Sequence, residues 1–362
     1  MALDHIYAVV LAGGRGERFW PLSTARRPKQ LLALVGDRPM ISQTVARLDG
    51  LVPLERVLVV TNAETVAVTR ELLPELPPAN IFGEPVGRDT AAAVALSAAL
   101  VRARDPDAAF AILPADHVIA EPDRFRGALE AVFRVAQRED VLMVIGIPPT
   151  APLSSFGYIE ADAPRLEMGG RSFYAVRRFV EKPDVETARR YLAEGRYFWN
   201  AGMFVWSLAA LDRALARHAP RFAELALGLA QAARRPGFDE AVRAAYAGIE
   251  KISIDYALME KADNILMLPA DFHWDDVGSW TALRNHFPPD DRDNVAIGDC
   301  VALDAEGNTV YSPGRLTALL GVRDLVVVQA EGVTLICRSD RAEHVKRLVQ
   351  QLQSGGGHEA LL

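Results

Sequence analysis

The sequence predicts an α/β fold, in which helices flank a mostly parallel sheet and a small β-rich domain follows. Short β-branched runs alternate with longer helical stretches, which is the pattern of βαβ units. This pattern changes after His286, where the turn-rich stretch FPPDDRDN leads into short strand-like runs. We therefore expect a larger domain over residues 1–286 and a smaller one over residues 287–362. A chain of 362 residues is long enough for both.

The elements of the larger domain follow from the spacing of apolar residues. Four β-branched runs predict strands at residues 6–10, 57–61, 110–113 and 141–147. Helical spacing predicts helices at residues 40–48, at 90–102 and, two or three in number, at 208–247. We interpret the last region as packing rather than chemistry. Ligands of parallel sheets bind beyond the carboxyl ends of the strands, so the segments that follow the strands are candidates for a site.

The smaller domain is predicted to be mainly β. Short strand-like runs occur at residues 309–311, 325–329 and 334–337, and residues 341–352 predict a last helix.

The composition excludes several classes of protein. The formal net charge is −7, so a broad basic face for nucleic acid is not expected. The two cysteines, Cys300 and Cys337, fit neither a metal-ligand spacing nor a disulfide framework, which favours a reducing compartment. The N-terminal residues lack the features of a signal peptide, and the charge-free stretches are shorter than the roughly 20 residues that span a bilayer. We expect a cytoplasmic protein that binds neither nucleic acid nor membrane.

The stretch LAGGRGERFW, residues 11–20, directly follows the first predicted strand. It fails as a dinucleotide fingerprint because Phe19 stands where the third glycine is needed, and it is not a P-loop. Its glycines allow backbone N–H groups to approach phosphate oxygens. Residues 15–29 hold five basic residues against the single acid Glu17, which indicates a polyanionic ligand in an otherwise acidic chain. A solvated basic loop is the alternative, and Lys29 is expected to be an exposed loop residue.

Two segments supply acids. Asp116 follows the strand predicted at residues 110–113, where it either binds a metal ion or caps the next helix. The segment FHWDDVGSW adds Asp275 and Asp276. A zinc site formed by His117 and His273 with Asp116 and Asp276 is a weaker alternative, because the histidines are far apart in sequence. Oxygen-only ligation of Mg²⁺, by one or two carboxylates together with substrate phosphates, is favoured.

The string GGRGERFWPLSTARRPKQLL resembles the signature of the sugar-1-phosphate nucleotidyltransferases, GGxGxRxxPLxxxxPKxLL. In that family the loop wraps the triphosphate of the incoming nucleotide. The resemblance implies a Rossmann-like sheet of the GT-A type and a small left-handed β-helix at the C-terminal end. It also implies that Arg18 and Lys29 act beside the α-phosphate as catalytic residues.

The string WDDVGSW resembles the WxDVGSW element of family members that are guanylyltransferases for mannose 1-phosphate. In these the aspartate before Val-Gly is a metal ligand. The resemblance therefore implies a Mg²⁺ site at Asp116 and Asp276, both of them catalytic, with Asp275 in a supporting role.

Further family elements are EPVGRDTA at residues 84–91, FGYIE at 156–160, EKP at 181–183 and NAGMF at 200–204. Asp89 departs from the family's usual asparagine, and a carboxylate accepts hydrogen bonds but donates none. The resemblance implies a nucleotide-binding set consisting of Leu11, Ala12, Gly13, Gly14, Arg15, Gly16, Glu84, Arg88, Asp89, Thr90, Pro114 and Ala115. It implies a sugar-phosphate-binding set consisting of Gly157, Tyr158, Glu181, Lys182, Asn200 and Gly202.

The function implied is transfer of GMP from GTP to mannose 1-phosphate, with GDP-mannose and pyrophosphate as products. Three alternatives stay open. They are the same reaction with glucose 1-phosphate and UTP, dTTP or ATP, a regulatory homologue that binds nucleotide sugars without catalysis, and a dinucleotide-dependent oxidoreductase. The residues do not give the oligomeric state, and a homodimer is an open expectation.

Overall fold

A computed structural model describes residues 3–357 and 361–362 of the protein. The chain divides into two compact units, each assembled from separate stretches of sequence. The first unit contains the chain up to Gly13, Thr44–Ala115 and Ile119–Trp274. The second contains Gly14–Gln43, Asp116–Val118 and the chain from Asp275 onward.

Fifteen strands occur in the described residues: β1 Ile6–Ala12, β2 Val57–Asn62, β3 Ile81–Glu84, β4 Ala109–Pro114, β5 Val118–Ile119, β6 Leu142–Ile147, β7 Gly157–Met168, β8 Arg171–Val180, β9 Tyr197–Ser207, β10 Ile265–Pro269, β11 Trp274–Asp275, β12 Val295–Leu303, β13 Thr309–Leu320, β14 Leu325–Ala330 and β15 Val333–Arg338. The same residues form nine α-helices: α1 Met40–Ala46, α2 Val66–Leu72, α3 Thr90–Arg104, α4 Pro122–Ala136, α5 Val185–Glu194, α6 Leu208–His218, α7 Pro220–Ala232, α8 Phe238–Gly248 and α9 Val345–Gly355. Short 3-10 turns at Glu17–Phe19 and Lys29–Leu31, and a π-helical turn at Asp255–Met259, bear on the site.

The first unit is built on a nine-stranded sheet with the order β3-β2-β1-β4-β9-β6-β10-β8-β7. Strands β3, β2, β1 and β4 pair in parallel with one another, and β6 pairs in parallel with β10. The strand β9 runs antiparallel between β4 and β6. The carboxyl ends of β1 and β4 therefore meet at one edge of the sheet, as expected for a parallel pair.

The hydrophobic core of the first unit is formed by buried strands and by the helix α3. The strand β1 is buried along almost its whole length, as is usual for parallel strands covered on both faces. The helix α3 is rich in alanine and is buried from Ala91 to Val101, which allows close packing against its neighbours. These residues share one hydrophobic core with α7, whose apolar side also faces inward.

The second unit contains a four-stranded sheet with the order β12-β13-β14-β15. The first three strands pair in parallel, and β15 returns antiparallel to β14. Its principal core joins Val326 and Val345 of the C-terminal stretch to Phe19, Trp20 and Trp280. The residues around the glycine-rich loop are thus packed against the C-terminal part of the chain.

The structure confirms most of the elements predicted from the sequence. The four strands predicted first are β1, β2, β4 and β6, and the region 208–247 forms three helices. Strands β7, β8, β9 and β10 were not predicted. The last helix starts at Val345 rather than at residue 341, because a 3-10 turn, Ser339–His344, precedes it. In the described part of the chain, no helix is long and apolar enough to span a membrane.

Candidate active site

Lys29 lies at the centre of the residues that the sequence singled out. Its ammonium group donates to Oδ2 of Asp116 over 2.8 Å and also to the backbone carbonyl of Asp276. Only 7% of its side chain is exposed. The expectation that Lys29 is an exposed loop residue was therefore wrong, because the turn Lys29–Leu31 folds inward and buries all three of its residues.

Gly16 is required by both the backbone and the packing of the glycine-rich loop. Its φ of +63° lies in the left-handed region, which glycine adopts without steric cost. A Cβ atom at this position would overlap Cβ of Lys29 and lie 2.9 Å from the backbone nitrogen of Lys29. The glycine thus permits the close approach that places Lys29 beside the loop.

Three side chains fix the course of this loop. Ser23 donates its hydroxyl to the carbonyl of Arg15 over 2.9 Å, and Gln30 donates its amide to the carbonyl of Gly14 over 3.1 Å. Arg18 reaches the carbonyl of Gly278 at 3.5 Å. The loop is therefore held from both of its ends, which preorganises its backbone.

The segment that carries Asp276 is held by its neighbour Asp275. The Asp275 carboxylate accepts hydrogen bonds from the Val277 amide at 2.6 Å, from Asn285 at 2.8 Å and from the His286 ring at 3.1 Å. Val277 is fully buried and has a φ of +45°, which is unfavourable for a β-branched residue. Strained residues of this kind persist where surrounding packing fixes them, and they concentrate at functional sites.

The two candidate metal ligands differ in electrostatics. Burial favours the neutral form of Asp116, but the charges of Lys29 and His117 and the hydrogen bond from Lys29 outweigh it and keep its pKa below the usual value. For Asp276, burial and the negative charges of Asp275 and Asp116 raise the pKa to about 6, although Lys29 and Arg18 oppose the shift. The two carboxylates thus lie close enough to repel each other.

Lys29, Asp116 and Asp276 line one open cavity of about 380 Å³. Arg15, Arg18 and Lys29 contribute positive charge, and Asp116 and Asp276 contribute carboxylates. All of these residues belong to the second unit. A cavity with cations, backbone N–H groups and two adjacent carboxylates has the chemical groups needed to bind a polyphosphate together with a divalent cation.

In the first unit, the candidate residues at the ends of β1 and β4 lie together. Leu11 is in register with Pro114, and the Ala115 amide donates to the Leu11 carbonyl at 3.0 Å. Thr61 donates its hydroxyl to the Ala12 carbonyl at 3.1 Å. The neighbouring Gly13 carbonyl accepts from the side-chain amide of Asn62 at 3.2 Å.

Glu84 ends β3 beside Gly13, and it is only 6% exposed. A Cβ atom at Gly13 would lie 3.3 Å from Glu84 Oε2, so the carboxylate faces this glycine. The Tyr246 hydroxyl donates to Glu84 Oε1 at 2.9 Å. Burial raises the Glu84 pKa to about 7, with a lowering contribution from Tyr246 and a raising one from Asp89.

The loop after Glu84 is attached to the end of α8. The Arg88 guanidinium donates to the carbonyls of Tyr246 at 2.9 Å and Ala247 at 3.1 Å, which are among the last carbonyls of the helix. Asp89 caps α3 and accepts from the Thr90 amide, a contact that the oxygen of the family's usual asparagine could also make. The region 208–247 therefore does more than pack, because it positions candidate nucleotide-binding residues.

The candidate sugar-phosphate residues also come together in the first unit. Asn200 is in register with Gly157, and a Cβ atom on that glycine would overlap the Glu181 carboxylate. Lys182, which is mostly exposed, pairs with Glu181 at 2.6 Å. The Gly202 amide donates to Asn200 Oδ1 at 3.0 Å.

Tyr158 differs from the rest of this set. Its side chain is fully buried, and its hydroxyl donates to the Leu153 carbonyl at 3.1 Å. It also packs against Tyr191, with ring centroids 5.4 Å apart. The Tyr158 side chain therefore belongs to the core.

Sequence reasoning missed Asp255, which starts the π-helical turn. Its carboxylate accepts from the Asn200 amide at 2.7 Å, and the preceding Ile254 amide donates to the Thr90 hydroxyl at 2.8 Å. Burial and the charge of Glu181 raise the Asp255 pKa to about 6. This segment joins the candidate nucleotide residues to the candidate sugar residues. Single π-turns are frequent at functional sites, but sequence periodicity does not reveal them.

Two families of known proteins match successive parts of the chain. Residues 7–291 match the family described as Nucleotidyl transferase, which is most of the chain. The chain belongs to the nucleotidyl transferase family. Residues 298–352 match a second family, described as a MannoseP isomerase/GMP-like beta-helix domain. The C-terminal stretch of this nucleotidyl transferase is therefore a small β-helix domain, in agreement with the parallel pairing of β12, β13 and β14.

Two curated relatives and one solved structure are similar over nearly the whole nucleotidyl transferase. A mannose-1-phosphate guanylyltransferase of Escherichia coli K12 is 37% identical over 99% of this chain and 76% of its own length. The xanthan biosynthesis protein XanB of Xanthomonas campestris pv. campestris is 37% identical over 99% of this chain and 75% of its own length. A crystal structure described as a mannose-1-phosphate geranyltransferase from Thermus thermophilus is 36% identical, with a TM-score of 0.85, and the match covers 96% of this chain and 99% of that one.

Members of this family typically use a divalent metal, and the residues of this nucleotidyl transferase's cavity decide whether one fits. The described residues hold no cluster of three or more His, Cys, Asp and Glu side chains suited to a metal ion. The His273 ring pairs with Glu121 at 2.5 Å, which leaves the four-ligand zinc alternative without support. Asp116 and Asp276 supply two carboxylates in a region of mutual repulsion. That donor set fits Mg²⁺, which is bound by one or two carboxylates and completed by substrate phosphates and water.

Proposed function

We propose that the protein transfers GMP from GTP to mannose 1-phosphate and forms GDP-mannose and pyrophosphate. The observation that carries this proposal is the arrangement around Lys29, which lines one cavity with Asp116, Asp276 and two arginines. The relatives whose names include mannose-1-phosphate guanylyltransferase support the choice of GTP and mannose 1-phosphate.

The proposed reaction is an in-line substitution at the α-phosphorus of GTP. An oxygen of the sugar phosphate forms a bond to this phosphorus, and the bond from it to the bridging oxygen of pyrophosphate breaks. The nucleophile is already ionised near neutral pH, so the reaction needs no general base. Catalysis consists of positioning the phosphates and offsetting the charge that develops on them.

Each residue of the cavity has a role in this proposal. The backbone of residues 13–16 binds phosphate oxygens, while Arg18 and Lys29 offset charge at the α-phosphate. Asp116 and Asp276 would hold Mg²⁺. When bound, the ion neutralises phosphate charge and orients the triphosphate. Asp116 keeps Lys29 in place through the 2.8 Å ion pair.

The proposal also assigns two sets of binding residues within the first unit. The set proposed to bind the nucleotide consists of Leu11, Ala12, Glu84, Arg88, Asp89, Thr90, Pro114 and Ala115. The set proposed to bind the sugar phosphate consists of Gly157, Tyr158 through its backbone, Glu181, Lys182, Asn200 and Gly202. Carboxylate and amide side chains suit sugar hydroxyls, and a lysine suits the sugar phosphate.

The proposal also retains the division into a catalytic domain, residues 1–286, and a C-terminal domain, residues 287–362. It places the enzyme in the cytoplasm, without nucleic-acid or membrane partners, in keeping with the two free cysteines. A homodimer is the proposed assembly, and light scattering coupled to size-exclusion chromatography measures it directly.

A substrate panel tests the proposed reaction. Pyrophosphate release is followed with GTP, UTP, dTTP and ATP, each combined with mannose 1-phosphate and with glucose 1-phosphate. We expect the highest kcat/KM with GTP and mannose 1-phosphate. Full activity with UTP and glucose 1-phosphate and none with GTP would overturn the choice of substrates. Absence of pyrophosphate release from every pair would favour a regulatory homologue.

A further inference from the structure

Lys346 lines the same cavity as Lys29, although it lies in none of the sequence motifs. It is an exposed residue in the first turn of α9, within the stretch that matches the β-helix domain family. The described cavity residues include three further cations, Arg15, Arg18 and Lys29, all from residues 15–29. Lys346 is thus the cation that the C-terminal part of the chain brings to this cavity.

The packing of α9 explains why Lys346 is held there. Val345 and Val349 are one helical turn apart, and both are 4% exposed in the core that also contains Phe19 and Trp20. The helix also contacts the 3-10 turn Glu17–Phe19. Val345 thus anchors the start of α9 in this core, and the adjacent Lys346 lines the cavity.

The last residues of the sequence fasten the same segment. The Trp20 indole donates to the Leu361 carbonyl at 2.9 Å, and the Ala25 amide donates to the Leu362 carbonyl at 2.7 Å. The C-terminal stretch therefore contacts residues 17–25 both through α9 and through Leu361 and Leu362.

The balance of charges in the cavity favours a further cation there when a triphosphate binds. A nucleoside triphosphate carries about four negative charges, and the cavity already holds the acids Glu17, Asp116 and Asp276. Lys29 is paired with Asp116, so part of its charge is balanced before a ligand binds. The N-terminal end of a helix carries partial positive charge, so a lysine in the first turn is repelled by it. An anion bound at this point would be attracted by the lysine and by the helix dipole.

We propose that Lys346 binds the β- and γ-phosphates of the incoming nucleotide, and therefore the pyrophosphate that leaves. The C-terminal domain then contributes a binding residue to the reaction as well as packing. This inference rests on the triphosphate cavity of the proposed function, but it does not depend on which base or sugar the enzyme uses.

Binding of inorganic tripolyphosphate tests the role of Lys346, since this probe contains neither base nor sugar. Isothermal titration calorimetry at low ionic strength compares the full-length protein with Lys346→Gln and with the matched control Arg347→Gln. Arg347 is exposed on the same helix and is not among the described residues of the cavity. We expect about a fivefold rise in Kd for Lys346→Gln, little change for Arg347→Gln, and recovery in Lys346→Arg.

Kinetics supply a second readout. Lys346→Gln should weaken inhibition by pyrophosphate and raise the KM for the nucleotide by a similar factor, with the KM for the sugar phosphate unchanged. Equal Kd values for Lys346→Gln and Arg347→Gln would overturn the inference, and so would a wild-type protein that does not bind tripolyphosphate. Activity with a different nucleotide or sugar would overturn the proposed substrates and leave the role of Lys346 intact.

Discussion

The ammonium nitrogen of Lys29 lies 2.8 Å from Oδ2 of Asp116, with 7% of the lysine side chain and 37% of the aspartate side chain exposed. The pair brings together residues 87 positions apart in the sequence. Because the lysine side chain is nearly buried, its charge is stabilised by the aspartate, and the aspartate charge by the lysine. Under the proposed function, we therefore expect substitutions at this pair to change both stability and turnover.

Replacing Lys29 with methionine should lower kcat about 100- to 1,000-fold, because a preorganised contact to the transferring phosphate is lost. It should also lower the free energy of unfolding by about 1–3 kcal/mol, since Asp116 loses its partner. Pyrophosphate release and urea denaturation measure the two effects. The double variant Lys29→Met/Asp116→Asn should recover stability but not turnover. Recovery of both together would contradict a catalytic role for Lys29.

Gly16→Ala should impair the site through geometry. The added methyl group meets Lys29 at a residue whose φ is +63°, so either the loop or Lys29 must move. We expect at least a tenfold loss of kcat/KM for the nucleotide. The control is Gly228→Ala in α7, where a Cβ atom meets nothing within 4 Å. That variant should keep full activity and gain about 0.5–1 kcal/mol of stability. Equal activities of the two variants would refute the proposed constraint.

Asp255→Ala should raise the KM for mannose 1-phosphate about tenfold and leave the KM for GTP unchanged. The reason is that Asp255 holds the Asn200 amide through a 2.7 Å hydrogen bond. Asp255→Asn keeps an acceptor and should restore most of the affinity. As a control, Asp263→Ala removes an exposed ion pair with Arg217 and should change neither constant. A loss of stability with both KM values unchanged would show that Asp255 is purely structural.

Glu84→Gln should change how stability depends on pH. Burial raises the Glu84 pKa from its usual 4.5 to about 7, so the folded state keeps a proton that the unfolded state releases. The contribution of Glu84 to the free energy of unfolding therefore falls as the pH rises from about 4.5 to 7, by up to about 3 kcal/mol. Chemical denaturation at several pH values should show the variant gaining stability relative to the wild type across this window. The exposed Glu64→Gln should give a flat difference, and a flat difference for Glu84→Gln would contradict the raised pKa.

Local pattern was sufficient for the buried parts of the fold. Strands such as β1 and β4 were predictable because a fully buried parallel strand is a continuous apolar run. The hairpin of β7 and β8 was not, because its strands are partly exposed and carry charged residues such as Asp162 and Arg177. The burial of Lys29 also escaped prediction, because it depends on a partner, Asp116, that is distant in the sequence.

The candidate site was predictable only where its motifs are contiguous. Lys29, Asp116 and Asp276 each lie in a contiguous sequence motif, and in the structure they line one cavity. Tyr246 and Lys346 lie in segments predicted as ordinary helix, and Asp255 lies in a segment for which no element was predicted. They were missed because only tertiary contacts single them out. Tyr246 contacts Glu84, Asp255 contacts Asn200, and Lys346 lines the cavity.

The most direct test of the account follows a radioactive label from the α-phosphate of GTP into the product. The reaction contains mannose 1-phosphate and a varied concentration of Mg²⁺, and it is run with the wild type and with Asp276→Asn. The account predicts labelled GDP-mannose from the wild type. For Asp276→Asn it predicts a rate about 100-fold lower and a Mg²⁺ requirement shifted to higher concentration. Equal rates and superimposable Mg²⁺ titrations for the two proteins would contradict it.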